Sequence, residues 1–205
     1  MKNTKTKILM FLLLVIIFVV TSHTAGEQTH STAQEDENIN IEAEVTPIPM
    51  VEYIPLGVPN INSSFKTWMS YKAVTDRMSS QYRYINTYGW SDEQGFMRSN
   101  RDEFAGIEDD YYLIALGSYY GTQIGTKYRI TLDTGKVFYG VLADCKDNKH
   151  TNITNQYVPH NKNIIEFIVN TSKLNKDVKV MGNANYYEPL NGHVIKIERM
   201  DFINQ

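Results

Sequence analysis

Hydrophobic positions are sparse and aperiodic over the first quarter of the mature-looking chain, then crowd into short runs after residue 110. Tyr111 to Leu116, Tyr128 to Leu132, Val137 to Ala143 and Ile164 to Val169 are rich in Val, Ile, Tyr and Phe. Gly117, Gly125 and Gly135 punctuate them, and such runs predict β-strands. Asp133-Thr-Gly135 lies between two of these runs and predicts a tight hairpin. His193 to Arg199 alternates as a closing strand would. Upstream, Phe65, Trp68, Met69 and Lys72 or Ala73 recur at three- and four-residue spacing behind Ser63-Ser64, which predicts a short capped helix. Ser79 to Asn86 fits a helical turn or a strand, and Phe96-Met-Arg98 fits a strand. The pattern as a whole predicts a mainly β fold, a small barrel with one or two accessory helices.

Four segments follow. Residues 1–25 carry Lys2, Lys5 and Lys7 ahead of a 13-residue apolar run, Ile8 to Val20. At about 1.5 Å per residue the run spans roughly 20 Å, short of a ~30 Å bilayer core. A cleaved signal peptide is therefore expected, with an uncleaved N-terminal anchor as the other option. Residues 26–60 hold seven acids, no Lys or Arg, and the Pro-containing stretches Thr46 to Pro49 and Ile54 to Pro59. They predict an acidic, disordered tether. Residues 61–110 form a helical and extended cover, and 111–205 the β-barrel domain.

Charge and cysteine usage narrow the function. The chain has 205 residues with 20 Lys+Arg and 23 Asp+Glu. Outside the first 60 residues, 17 bases face 16 acids. That balance offers no basic field for phosphates, so nucleic acid is excluded as a partner. Cys145 is the only cysteine, so no internal disulfide can form. The loop Lys146 to Asn163 is long for a compact sheet, which marks it as functional.

Two carboxylates stand out. Asp144 closes an apolar strand, and Glu166 interrupts the stripe Ile164, Ile168 on one face of another. A carboxyl in apolar surroundings has a raised pKa, as a general acid requires. Two such groups across a sugar bond are the usual glycosidase arrangement. Alternatively, Glu166 pairs with Lys127 or Arg129 and Asp144 caps a turn. His150 and Thr151 follow at the same rim as candidate substrate contacts, and Tyr120 and Trp90 are candidate sugar-stacking rings. Asp144, His150 and His160 lack a recognised metal-ligand spacing, so neither metal nor other cofactor is expected. Cys145 should face away from Asp144 and fill the core.

Leu113-Ile-Ala-Leu-Gly117, Ile124-Gly-Thr126, Leu142-Ala-Asp-Cys145 and Ile165-Glu-Phe-Ile-Val169 resemble the double-psi β-barrel of secreted cell-wall proteins. The likeness is to the 3D (three-aspartate) domain of membrane-bound lytic transglycosylases and to rare-lipoprotein-A-like domains, over about 60 residues. It implies a six-stranded barrel, an exported wall-associated location, and action on peptidoglycan or another wall glycan. Asp144 would hold the acid/base position and Glu166 that of its partner. Two departures stand against it: Cys145-Lys146 replaces the usual Thr-Gly or Arg-Gly, and Glu replaces Asp at 166. A non-catalytic module binding wall glycan or another protein is the alternative, and a purely structural envelope protein a third. The membrane would be touched only through an uncleaved N-terminal segment.

Overall fold

The structure is a computed structural model and describes residues 50–203. The expected signal segment and most of the tether lie outside the described residues. Nine strands and two α-helices are described, so the mainly β expectation holds at that level. The strands are β1 (Met50–Leu56), β2 (Thr67–Ser70), β3 (Trp90–Ser91), β4 (Met97–Ser99), β5 (Tyr111–Leu116), β6 (Lys127–Leu132), β7 (Val137–Cys145), β8 (Glu166–Val169) and β9 (Val194–Ile203). The helices are α1 (Ser80–Tyr88) and α2 (Lys176–Met181). The strands form one mixed sheet in the order β1-β9-β6-β7-β5-β4-β3, with β8 also on β5 and β2 on β8. This ladder path does not close on itself, and its strands outnumber the six expected.

β5 is the organising strand. All six of its residues are buried, as suits a strand covered on both faces. One edge pairs with β7 in parallel. The other edge is shared, with β4 at Tyr111 and Tyr112 and antiparallel β8 at Ile114 and Ala115. Alternation sends Tyr112, Ile114 and Leu116 into one core cluster and Tyr111 and Leu113 into a second. The first cluster is built on an aromatic group in which Phe96, Tyr112, Phe138 and Phe167 stack at ring distances of 5.4 to 5.8 Å. β6 contributes Tyr128, Ile130 and Leu132 to it from a half-buried alternating strand. Gly140 lies within β7 because a Cβ there would meet Ile114 Cδ1 at 2.6 Å. The second cluster joins Leu113, Val141, Ala143 and Ile168 to Ile85 of α1.

Two segments differ from expectation. The helix read over 65–75 is instead β2 followed by a 3-10 turn at Tyr71–Ala73. Pairing with β8 over Thr67↔Glu166 to Ser70↔Val169 overrides a helical spacing that was only a few residues long. The expected tether, drawn as far as residue 60, contains β1, which pairs with β9 from Met50↔Ile203 to Leu56↔Ile197. Pro55 is tolerated because β1 is an edge strand.

The undecided Ser79 to Asn86 segment is α1. Ser79 is its N-cap, with extended backbone and a hydroxyl that accepts the Tyr82 N–H at 3.1 Å. Ser79→Ala is expected to cost about 1 kcal/mol, read as a fall of a few degrees in melting temperature. An unchanged melt would mean that another group caps the helix.

Candidate functional site

The sheet registers bring Asp144 and Glu166 together. Ala115 of β5 pairs with Asp144 of β7 on one side and with Glu166 of β8 on the other. Glu166 in turn pairs with Thr67 of β2. Residues directly opposite across strands point to the same face. Asp144, Ala115, Glu166 and Thr67 therefore form one row across four strands. With strands spaced about 4.8 Å apart, the two acidic Cα atoms lie roughly 10 Å from each other. The strand between them contributes Ala115 to the row, a side chain of a single methyl group.

A register shift makes this row. Leu142 pairs with Ile114, but Asp144 rather than Ala143 pairs with Ala115. The extra residue puts Asp144 on the face of Ala143 and Leu113 and returns Cys145 to the opposite one. Cys145 there packs against the aromatic core cluster. It is half-buried, and burial, then the Asp144 charge, push its thiol pKa up.

The carboxylates are held differently. Asp144 Oδ1 accepts the Cys145 N–H at 2.8 Å. Burial is the largest influence on its pKa and raises it; the Glu166 charge adds to the rise, against the Cys145 N–H and the Lys146 charge. Glu166 Oε1 accepts the Thr67 hydroxyl at 3.2 Å. The alternative partners for Glu166 are engaged elsewhere, Lys127 with Asp102 and Arg129 with Glu198. Among the described residues neither Asp144 nor Glu166 is in an ion pair.

Three residues at the row escaped the sequence reading. Lys146 is buried, and burial lowers its amine to about 8 against the opposing pull of Glu166 and Asp144. Its position two residues beyond Asp144 was the available signal, since alternate strand residues share a face. Asn163, also buried, donates from Nδ2 to Thr67 Oγ1, and its Oδ1 accepts the Thr67 N–H at 3.4 Å. Thr67 was hidden by the helix expectation for its segment.

Among the described residues, none of the other candidates pairs with the row or hydrogen-bonds to it. Trp90 is 40% exposed, its Nε1 donating to Asn100 Oδ1 at 3.2 Å. It pairs with Arg98, which pairs with Tyr112, so it lies toward the far end of β5 from Ala115. There it lines a separate cavity of about 620 Å³ with Tyr84 and Tyr88. Tyr120 is buried in the core, its carbonyl accepting the Tyr128 hydroxyl, so it offers no face for stacking. Thr151 braces its own loop through the Asn148 carbonyl and Asn155 Oδ1. His150 is exposed on the 3-10 turn Asn148–His150. Among the described residues no three His, Cys, Asp or Glu side chains converge as metal ligands would.

Comparison of the chain with protein-family models, with curated proteins and with solved structures returns no match.

Proposed function

We propose that this is an exported, wall-associated protein that acts on peptidoglycan glycan strands, with Asp144 as acid/base. The observation that carries the reading is the row itself, two unpaired carboxylates facing across Ala115. Glycosidase carboxyl pairs lie about 5 to 9.5 Å apart, and two side chains converging from Cα atoms roughly 10 Å apart reach that range. Asp144 would deliver its proton to the glycosidic oxygen as the bond to the sugar carbon breaks. The Glu166 carboxylate would face the positive charge that develops on the ring. In the lytic version the ionised Asp144 then takes the proton of the sugar's 6-hydroxyl, whose oxygen closes onto the same carbon, so no water is consumed. In the muramidase version water attacks instead.

The six-stranded double-psi barrel belongs to the same reading. β2, β8, β5, β7, β6 and β9 follow one another by ladder pairing. Just ahead of β2, Ser63 Oγ donates to the Val194 carbonyl and accepts the Val194 N–H, at 3.1 and 2.9 Å. Lys66 Nζ donates to the Gly192 carbonyl at 2.6 Å. These side-chain bonds support a seam that joins β2 to the start of β9, with β1, β3 and β4 as additions outside the barrel.

A second reading, a module that binds wall glycan or protein without cleaving it, is favoured by one observation. The larger described cavities, of about 740 and 620 Å³, are lined by neither Asp144 nor Glu166. Incubation of the full chain with purified peptidoglycan separates the two. Release of soluble muropeptides, with anhydro or reducing ends identified by mass spectrometry, is expected for the enzyme. Retention of the protein on the sacculi with no release would leave the binding module.

A further inference from the structure

We propose that the cavity lined by Tyr84, Tyr88 and Trp90 binds a sugar ring of a neutral glycan, at a site separate from the row of Asp144 and Glu166. The choice of a wall glycan as ligand rests on the proposed function; the site rests on the cavity alone.

The local sequence builds the aromatic wall. Tyr84 and Tyr88 stand four residues apart on α1 and so share one side of the helix, their ring centroids 5.1 Å apart. Gly89 ends the helix, and a Cβ there would meet the Ile85 carbonyl oxygen at 2.3 Å and Leu113 Cδ2 at 3.1 Å. The chain therefore turns close against the core and passes directly from Tyr88 to Trp90 of β3. Rings of this size are ordinarily buried for most of their surface. Here Tyr88 is 61% exposed and Trp90 40%, both in one concavity of about 620 Å³. That volume falls within the ~300–1,000 Å³ of small-ligand clefts.

Polar groups stand beside the rings. Trp90 Nε1 donates to Asn100 Oδ1 at 3.2 Å, which orients the indole and occupies the amide oxygen. Asn100 Nδ2 has no partner among the described hydrogen bonds, and it remains as a donor at the edge of the ring. Thr87 also lines the cavity. A pyranose presents an apolar C–H face and a rim of hydroxyls. Aromatic faces match the first, and amide and hydroxyl groups the second. Charge decides against a quaternary ammonium, the other ligand that aromatic cavities take. No acid lines the cavity to hold a cation, and its one charged lining residue is Lys127, whose Nζ pairs with Asp102. A neutral ligand suits that balance. Gly125 and Lys127 also line the cavity of about 740 Å³, so the two adjoin and a glycan chain held at Trp90 has room to continue.

The chain has two tryptophans, so NMR of the indole N–H groups reads the site directly. The ¹⁵N-labelled full chain is titrated with tetra-N-acetylchitotetraose, and the Trp90 signal is assigned by its loss in Trp90→Phe. That signal is expected to shift and saturate. The signal of Trp68, whose Nε1 donates to the Val178 carbonyl, should stay in place and report that each variant is folded. Tyr88→Ala and Asn100→Ala are each expected to weaken binding roughly tenfold. A Trp90 signal that ignores the sugar, or equal affinity in both variants and wild type, overturns the proposal. Saturation by tetramethylammonium in place of the sugar does so too. Muropeptide release with a silent Trp90 keeps the catalytic reading and discards this site. A responsive Trp90 without release discards cleavage and keeps the site.

Discussion

Asp144→Asn is expected to reduce muropeptide release from purified peptidoglycan by about 10²- to 10⁴-fold, the usual worth of a general acid. The substitution keeps the shape of the side chain and the oxygen that accepts the Cys145 N–H. What it removes is the proton donor. The pH dependence has a definite sign. Asp144 is raised by burial and by the Glu166 charge, so the protonated form persists above the usual carboxylate range. Activity should fall as pH climbs through that raised value, because the acid loses its proton, and this limb should vanish in the variant.

Stability depends on the same proton. A carboxyl whose folded pKa is raised binds its proton more tightly in the native state. Its contribution is complete below the ordinary unfolded value and is lost as pH rises through the folded one. Asparagine carries no charge to bury, so the variant should be at least as stable as wild type at neutral pH. Equal muropeptide release by both proteins would remove Asp144 from the chemistry. Loss of both release and stability would make its role structural.

Lys66→Met is expected to destabilise the fold by about 2 to 4 kcal/mol at pH 7, the second large effect. Lys66 is fully buried. Its Nζ donates to the Ser64 carbonyl at 3.2 Å, Asn185 Oδ1 at 3.2 Å and the Gly192 carbonyl at 2.6 Å. Among the described residues it is the donor to both backbone carbonyls. A thioether fills the space and leaves those oxygens unpaired, at about 1 to 3 kcal/mol each, offset in part by no longer burying a charge.

That offset is pH-dependent. Burial lowers the Lys66 amine to about 8 from 10.5, with the Asp133 charge opposing. Below about 8 the amine is charged in both states, and the cost of burying that charge is fully present. Between about 8 and 10.5 the unfolded chain binds more protons than the native one, so stability rises with pH over that window. The variant lacks this gain, and its deficit relative to wild type should widen by about 2 kcal/mol between pH 7 and pH 10. Lys146 is lowered in the same way, so some of the rise should survive in the variant. Urea unfolding at the two pH values measures both quantities. A deficit that stayed constant or narrowed would show that Lys66 is charged at both.

The strands from β5 onward were legible because their signal is local. Tyr111 to Leu116, Val137 to Ala143 and Ile164 to Val169 declare themselves by residue type, and His193 to Arg199, most of which lies in β9, by alternation. The same local pattern marked Asp144 and Glu166 as carboxylates out of place among apolar neighbours. Short weak patterns were decided elsewhere. Phe65 to Ala73 reads as a helix in isolation, yet β8 offers Thr67 to Ser70 an open edge, and the ladder bonds outweigh a few residues of helical spacing. Trp90 and Tyr120 show how an aromatic ring in a sequence says nothing of where its face is spent, one lying beyond the far end of β5 and the other sealed in the core.

Residue chemistry alone thus determined the β character, the exclusion of an internal disulfide, the near-neutral charge balance beyond residue 60, and two suspect acids. Tertiary structure decided that those acids face each other, since one extra residue at Ala143 sets the face of Asp144 and Ala115 supplies the gap. It also decided that Lys66 matters, because the oxygens that hold its buried amine include those of Asn185 and Gly192, distant in the chain. Strand pairing carries such information across more than a hundred residues, and no local window of sequence contains it.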